Sequence, residues 1–133
     1  LAKRYTEDGL KYLEGLRTRS DDLRVWMKGY TDIFRLALVN DNRMCLCGIM
    51  SAEFDDLPPE VRTEVEAFNS LNVRWLTQVL SVCRPQLSQE ERQQQALAIY
   101  AAVEGAQLIA RGRDDISVYD QTIETYHSVG LIP

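Results

Sequence analysis

The sequence predicts an all-α fold, a single helical bundle of about six helices. Apolar residues recur at intervals of three and four along almost the whole chain, which is the period of amphipathic helices. Proline, glycine and short polar clusters interrupt this period at a few points and divide the chain into helical segments. A length of 133 residues suits one domain with its own hydrophobic core.

The boundaries of the helices follow from capping signals. Ser20 is the expected N-cap of the second helix, and Ser88 with Glu91 forms a capping box for the fifth. Pro59 opens the fourth helix, because proline is tolerated in a first turn. Gly112 is expected to close the fifth helix. Together these signals predict helices at approximately 1–17, 21–39, 44–55, 59–83, 89–111 and 115–128.

The third segment, 44–55, is the ambiguous one. It is short and strongly apolar, which fits a buried strand as well as a buried helix. No other segment offers a strand partner, and a lone strand cannot satisfy its backbone groups. We therefore predict a helix here.

Composition and charge exclude several classes of function. The formal net charge of −5 disfavours nucleic-acid binding by this segment alone, because an acidic surface repels phosphates. No apolar stretch reaches eighteen residues and no signal-peptide pattern opens the chain, so no membrane span or secretion is expected. Three cysteines without a disulfide framework indicate a reducing compartment, so the cytoplasm is the expected location.

The start of the sequence lacks a helix-capping residue. Leu1 opens directly into an apolar periodic run, whereas helices normally begin after Ser, Thr, Asp or Asn. We interpret this as a chain that starts inside a helix, with an upstream segment missing. A true domain edge at this point is the alternative.

The fifth predicted helix is apolar on nearly all sides after Gln95. A helix with two apolar faces must bury both, and the small residues on its second face would let another backbone approach closely. Gly105 in mid-helix carries a cost of roughly 1 kcal/mol relative to Ala, which suggests a packing reason. The last helix also shows two stripes: Ile116, Tyr119, Ile123 and Tyr126 form the first, and Val118, Thr122, Thr125 and Val129 the second.

Two consecutive two-faced helices predict a homodimer, in which they pair with their own copies as an isologous four-helix interface. The alternative is a central helix wholly buried within one chain. The predicted interface residues are Ala98, Ala101, Gly105, Leu108, Tyr119, Ile123 and Tyr126.

Two stretches of the sequence resemble the regulatory domain of TetR-type transcriptional repressors. Residues 45–54, Cys-Leu-Cys-Gly-Ile-Met-Ser-Ala-Glu-Phe, followed by 57–62, Leu-Pro-Pro-Glu-Val-Arg, resemble the middle of that domain. Residues 98–110, Ala-Ile-Tyr-Ala-Ala-Val-Glu-Gly-Ala-Gln-Leu-Ile-Ala, resemble its penultimate helix. The resemblance is clearest over 44–115, and its motifs are loose apolar patterns.

This resemblance implies an all-helical ligand-binding and dimerisation domain whose last two helices form the homodimer interface. It implies a small apolar or amphipathic effector, bound between the helices, that changes the spacing of two DNA-binding heads. The three-helix N-terminal head of that family is absent from this sequence. DNA binding would therefore belong to the parent protein.

Aromatic and soft side chains on the second to fifth helices would surround such a cavity. Ligand pockets are mainly apolar, with a few polar groups that fix orientation. Tyr30, Asn72, Tyr100 and Gln107 could supply those groups, and ordinary core packing is the alternative for each. The predicted ligand-binding residues are Trp26, Tyr30, Phe34, Met50, Phe68, Trp75, Tyr100, Val103 and Gln107.

Metal and catalytic sites are not predicted. Cys45 and Cys47 are one residue apart, whereas structural zinc needs about four ligands with wider spacing. Only Cys83 and His127 remain as soft donors, so no metal or cofactor is expected. Thiol sensing by the cysteines is chemically possible, and inert burial is the default.

No nucleophile is paired with a base in this sequence, and the acidic pairs stand at predicted helix starts, where carboxylates favour the helix dipole. The first hypothesis is therefore a ligand-responsive regulator domain and not an enzyme. The second is a helical protein–protein interaction module without a small ligand. The third is a small metalloenzyme or thiol enzyme that uses Cys45, Cys47 and His127.

Overall fold

The fold of the protein is given by a computed structural model that describes residues 2–133. The predicted helix start at Leu1 lies outside the described residues. Six α-helices and one short 3-10 turn (Phe54–Asp56), with no strand, make up residues 2–133. The helices are α1 Ala2–Arg19, α2 Leu23–Val39, α3 Leu46–Ala52, α4 Pro59–Cys83, α5 Gln89–Arg113 and α6 Ile116–Ser128. The predicted all-α class is confirmed.

The core is built around α4 and α5, which pack against each other along their length. Helices α2 and α6 cover α5, while α1 and α3 cover α4. The inner face of α5 is completely buried, as predicted: Ile99, Val103 and Ala110 have no exposed surface and Ala106 almost none. None of the helices within the described residues is long and apolar enough to cross a membrane.

The predicted N-cap of α2 is wrong by two residues. Asp22, and not Ser20, accepts the capping hydrogen bond, from the backbone N–H of Arg24. Ser20 remains outside the helix because the Trp26 indole N–H donates to its carbonyl oxygen at 2.7 Å. A contact between residues six apart thus displaces the cap.

The predicted end of α5 is also corrected. The helix passes through Gly112 to Arg113, and Asp114 takes the left-handed conformation at φ 49°. Asp115 then caps α6 by accepting from the Ser117 N–H. The capping box of Ser88 and Glu91 at the other end of α5 is present as predicted.

Helix α3 is shorter than the predicted 44–55. It begins after Cys45, whose thiol sulfur accepts from the Gly48 N–H, and it ends at Ala52 before the 3-10 turn. The N–H of Cys45 is bonded to the side-chain oxygen of Gln107 at 3.0 Å. This tertiary bond holds residue 45 at the helix boundary.

Candidate functional site

An apolar cavity lies between α1, α2 and α4, next to the start of α3. Its volume is about 30 Å³, which is room for a few water molecules. A pocket for a small-molecule ligand is typically roughly 300 Å³ or more, so this cavity is far smaller. No ionisable carboxylate or basic group stands among its lining residues. These are Tyr5, Gly9, Leu13, Tyr30, Ile33, Phe34, Cys45, Phe68, Leu71 and Asn72.

A smaller void of about 10 Å³ shares Tyr5 and Phe68 with the cavity. It extends beneath α3, where it is lined by Met50, Cys47 and the half-buried Glu64. The two spaces are therefore adjacent, with Tyr5 and Phe68 in the wall of both.

Four of the ten residues that line the cavity are aromatic. The ring centroids of Tyr5 and Phe68 are 5.1 Å apart, and those of Tyr30 and Phe34 are 5.3 Å apart. Tyr30 also stacks on Trp75, with the rings inclined by 12°. Such packed pairs add about 0.5–1.5 kcal/mol beyond area burial, so this wall is well defined.

One buried polar pair, Tyr30 and Asn72, faces the cavity. The Tyr30 hydroxyl donates to Asn72 Oδ1 at 2.8 Å, and Asn72 Nδ2 donates to the Phe68 carbonyl at 2.9 Å. Burial raises the pKa of Tyr30 well above its usual value, so this phenol stays a neutral donor. The pair offers a ligand directional polar groups in an apolar setting.

A thiol–carboxylate pair lies behind the cavity wall at Cys45. The thiol donates to Glu104 Oε1 on α5 at 2.8 Å, and the sulfur accepts from the Gly48 N–H at 3.2 Å. Burial, followed by the charge of Glu104, raises the pKa of Cys45. Burial also raises the pKa of Glu104, against the lowering effect of the hydrogen bond from Cys45.

Gly48 makes the close approach of Glu104 possible. A Cβ atom at position 48 would lie 2.9 Å from Glu104 Oε2. A larger residue would push the carboxylate away from Cys45.

Cys47 belongs to a second buried polar group. The Tyr100 hydroxyl donates to Asn69 Oδ1 at 2.7 Å, and Cys47 Sγ lies 3.5 Å from the same oxygen. Burial raises the pKa of both Cys47 and Tyr100. Neither cysteine therefore has the stabilised thiolate that an attacking nucleophile needs.

Gln107 joins three helices. Its Oε1 accepts from the N–H of Cys45 at the start of α3, and its Nε2 donates to the Phe34 carbonyl of α2 at 2.9 Å. The side chain has no exposed surface. It supports the cavity wall from behind.

The structure brings only some of the predicted ligand-binding residues to these spaces. Tyr30, Phe34 and Phe68 line the cavity, and Met50 lines the smaller void. The other predicted residues line neither of them, and their part in ligand binding stays a prediction: these are Trp26, Trp75, Tyr100, Val103 and Gln107.

Physical reasons for their positions are clear for the two tryptophans. The Trp75 indole N–H donates to the Leu13 carbonyl at 2.9 Å, which ties α4 to α1. Trp26 is held by Ser20 and is covered by the Arg17 guanidinium, 5.1 Å above its ring. Both side chains thus hold neighbouring parts of the bundle together and do not reach the cavity.

Helix α1 also lines the cavity, whereas the sequence predicted a cavity surrounded by the second to fifth helices only. Tyr5, Gly9 and Leu13 stand at intervals of four and form one stripe of α1. That spacing places the three residues on one face of α1 and could have indicated their shared position. Gly9 has no side chain, which leaves room for the cavity beside it.

The outward face of α5 carries exposed small and apolar residues. Ala98, Ala101 and Leu108 are exposed, as are the neighbouring Leu97 and Ile109. A Cβ atom at Gly105 would meet nothing within 4 Å. The second apolar face of this helix thus lies open on the chain.

The choice of α6 residues for the interface needs correction. Tyr119 and Ile123 are buried in the core of the chain, and the Tyr119 hydroxyl donates to the Thr31 carbonyl at 2.6 Å. Tyr126 is half-buried and donates to the Ala102 carbonyl. The other stripe of α6 is the more open one, because Thr125 and Val129 are exposed while Val118 and Thr122 are half-buried. It is called the open stripe of α6 below.

The residues of the enzyme hypothesis do not meet. His127 lines a groove between α2 and α6, beside Lys28 and Asp32, whereas Cys45 and Cys47 lie between α3, α4 and α5. Within residues 2–133, no three His, Cys, Asp or Glu side chains are grouped to hold a metal ion.

Comparison with solved structures finds the same fold in the crystal structure of a TetR transcriptional regulator from Legionella pneumophila. The two chains are 23% identical and superpose with a TM-score of 0.86, and the match covers 96% of this chain and 69% of that one. At this level of identity the likeness shows a shared fold. No family profile matches the sequence, and no curated protein does either.

Proposed function

We propose that this chain is the ligand-binding and dimerisation part of a TetR-like transcriptional regulator of the cytoplasm. The observation that carries the proposal is the likeness of fold to a TetR regulator across almost the whole chain. The sequence runs at 45–54, 57–62 and 98–110, which resemble that family, also support it. The proposed role requires binding and motion, and no bond-making step.

The proposed effector site is the cavity between α1, α2 and α4. Its aromatic wall and the single Tyr30–Asn72 pair have the composition of a small-molecule pocket. Because about 30 Å³ holds only water, a small apolar or amphipathic effector must displace a wall. The ligand would select a more open packing of the bundle, and that differential affinity would shift the population.

The proposed relay runs through α1. This helix supplies Tyr5, Gly9 and Leu13 to the cavity wall, so a ligand that enlarges the cavity presses on it. In the proposed parent protein the DNA-binding head precedes α1. Displacement of α1 would then change the spacing of two heads in a dimer.

The proposed homodimer forms on the outward face of α5 with the open stripe of α6. Leu97, Leu108 and Ile109 are each more than half exposed there, and the small residues between them leave room for a second backbone. A twofold pairing of this face would cover all of them. An exposed apolar patch of this kind is typical of an interface.

A compound screen by thermal unfolding tests the effector site. A true effector stabilises the native state, by about 2.7 kcal/mol when present at 100 times its Kd. Gly9→Leu places a side chain in the cavity and should abolish the shift, whereas Gly15→Leu, on the same helix but off the cavity wall, should retain it. A compound that stabilises the Gly9→Leu variant as strongly as the wild type would place the site elsewhere.

Light scattering of a Gly105→Leu variant tests the dimer. The wild type should have twice the chain mass of 15.2 kDa, and the variant should be monomeric, because leucine at this open position harms only an intermolecular contact. Lys11→Leu, on the exposed side of α1, is the matched control and should remain dimeric. An unchanged dimer of the Gly105→Leu variant would refute the choice of face.

The smallness of the cavity favours one alternative function, a helical protein–protein interaction module without a small ligand. A stable dimer on the α5 face together with no stabilising compound in the screen would support that alternative.

A further inference from the structure

The charges around the cavity are of one sign. Glu64 lines the adjoining void, and Glu104 lies one side chain behind the wall, hydrogen-bonded to Cys45. The lining of the two spaces contains no lysine, arginine or histidine. Neither space is therefore lined by a positively charged side chain.

Glu104 has no basic partner. Within residues 2–133 no lysine, arginine or histidine nitrogen lies within 4.0 Å of its carboxylate, and it accepts a hydrogen bond from Cys45. A largely buried carboxylate without a counter-charge is costly to ionise. A cation placed nearby would remove that cost.

The field of Glu104 reaches the cavity wall. Burial is the main cause of the raised pKa values of Tyr5 and Tyr30, and the charge of Glu104 raises both further. No cation opposes this effect at either tyrosine. Both rings line the cavity, so a ligand there would be exposed to the same field.

The wall itself also favours a cation. Tyr5, Tyr30, Phe34 and Phe68 surround the space with aromatic rings, whose faces attract ammonium groups. An anion in the same place would have Glu104 behind Cys45 and no basic side chain in the wall, so its desolvation would be uncompensated.

We propose that the cavity selects hydrophobic organic cations, such as aryl-alkyl amines, over neutral or anionic molecules of the same shape, with Glu104 as the counter-charge. This inference rests on the proposed effector site. The Cys45 side chain lies between the cavity and Glu104, and its thiol donates to Glu104 Oε1. A bound ammonium group would replace the thiol as the donor to this oxygen.

Three probes with one skeleton test the selectivity: 4-phenylbutylamine, 4-phenylbutan-1-ol and 4-phenylbutyrate. Isothermal titration of each into the wild-type chain at neutral pH should show the amine binding about tenfold tighter than the alcohol, because a cation near a partly buried carboxylate gains on the order of 1–2 kcal/mol. The carboxylate should bind more weakly than the alcohol.

The Glu104→Gln variant identifies the group responsible. Glutamine keeps the shape and can still accept from the Cys45 thiol, so alcohol binding should be unchanged while the tenfold advantage of the amine disappears. Glu60→Gln makes the same change of charge on the exposed start of α4 and should retain the advantage.

The outcomes separate this inference from the function on which it rests. If the alcohol or the carboxylate binds the wild type as tightly as the amine, the cation selectivity is refuted and the effector site stands. If the amine keeps its advantage in Glu104→Gln, the role of Glu104 is refuted. If none of the probes binds, both the selectivity and the effector site are overturned. The order of the probes on the wild type decides the selectivity even where the variant does not fold.

Discussion

Gly29 on α2 lies directly under the side chain of Leu16 on α1. A Cβ atom at position 29 would lie 2.4 Å from Leu16 Cδ2 and 2.9 Å from Cδ1, closer than real atoms approach. The Tyr12 hydroxyl also donates to the Gly29 carbonyl at 2.9 Å, so the two helices are held together at this point. Gly29→Ala is therefore a direct test of the α1–α2 packing.

Two opposing effects set the size of the change. Alanine is favoured over glycine in a helix by about 1 kcal/mol. Displacing the buried Leu16 side chain costs roughly 1–3 kcal/mol, because a packed core has no room for it. Gly29→Ala should therefore lower the free energy of unfolding by about 1 kcal/mol.

Urea denaturation followed by far-UV circular dichroism measures this change. Gly9→Ala is the matched control on α1: its Cβ would meet Phe68 at 3.5 Å, an ordinary contact, so it should stabilise by up to about 1 kcal/mol. In a Leu16→Ala background the clash is absent, and Gly29→Ala should become stabilising. A Gly29→Ala chain more stable than the wild type, or an equal loss in both backgrounds, would refute the packing argument.

Two further predictions concern polar pairs. Tyr30→Phe removes the hydroxyl that satisfies Asn72 Oδ1, and an unpaired buried acceptor costs about 1–3 kcal/mol, which urea denaturation can measure; an unchanged midpoint would show that the pair contributes nothing. The second pair is Asp120 and Arg35: the carboxylate accepts two hydrogen bonds from the guanidinium at 2.8 and 3.0 Å, and these bonds lower the pKa of Asp120. The pair therefore stabilises the protein fully above the usual aspartate pKa, and this stabilisation is lost as the pH falls through the lowered pKa. Both side chains are nearly half exposed, so Asp120→Asn should cost less than about 1 kcal/mol at pH 7, and the gap to the wild type should close in acid; a gap that widens in acid would contradict the sign.

Local signals predicted the helices well where the cap lies in neighbouring residues. Pro59 and the Ser88–Glu91 box place the starts of α4 and α5 correctly, because the fixed φ of proline and the hydrogen bonds of the box both act within one turn. The start of α2 is also set by bonds between near neighbours, from Trp26 to Ser20 and from Arg24 to Asp22, but more than one residue there is of a type that caps helices. The start of α3 depends in addition on Gln107, 62 positions from Cys45. Such a distant bond has no signature in the sequence near the cap.

Periodicity showed that α6 has two stripes but not which of them faces the core. The Tyr119 hydroxyl finds its partner on Thr31, 88 positions away, and this distant bond helps hold that stripe in the core. The cavity was beyond prediction for a related reason. Its lining comes from residues far apart in the sequence on α1, α2 and α4, and the pattern of apolar residues does not show how closely these helices approach.

The amide of Gln107 has a mechanical consequence. Phe34 and Cys45 both line the cavity, and both are bonded through their backbones to this one side chain of α5. If the amide rotated by half a turn, its NH₂ would face the N–H of Cys45 and its oxygen would face the carbonyl of Phe34, and both hydrogen bonds would be lost. The cavity wall at Phe34 and Cys45 is thus tied directly to α5, so a displacement of either wall segment must either break a hydrogen bond to Gln107 or move this side chain.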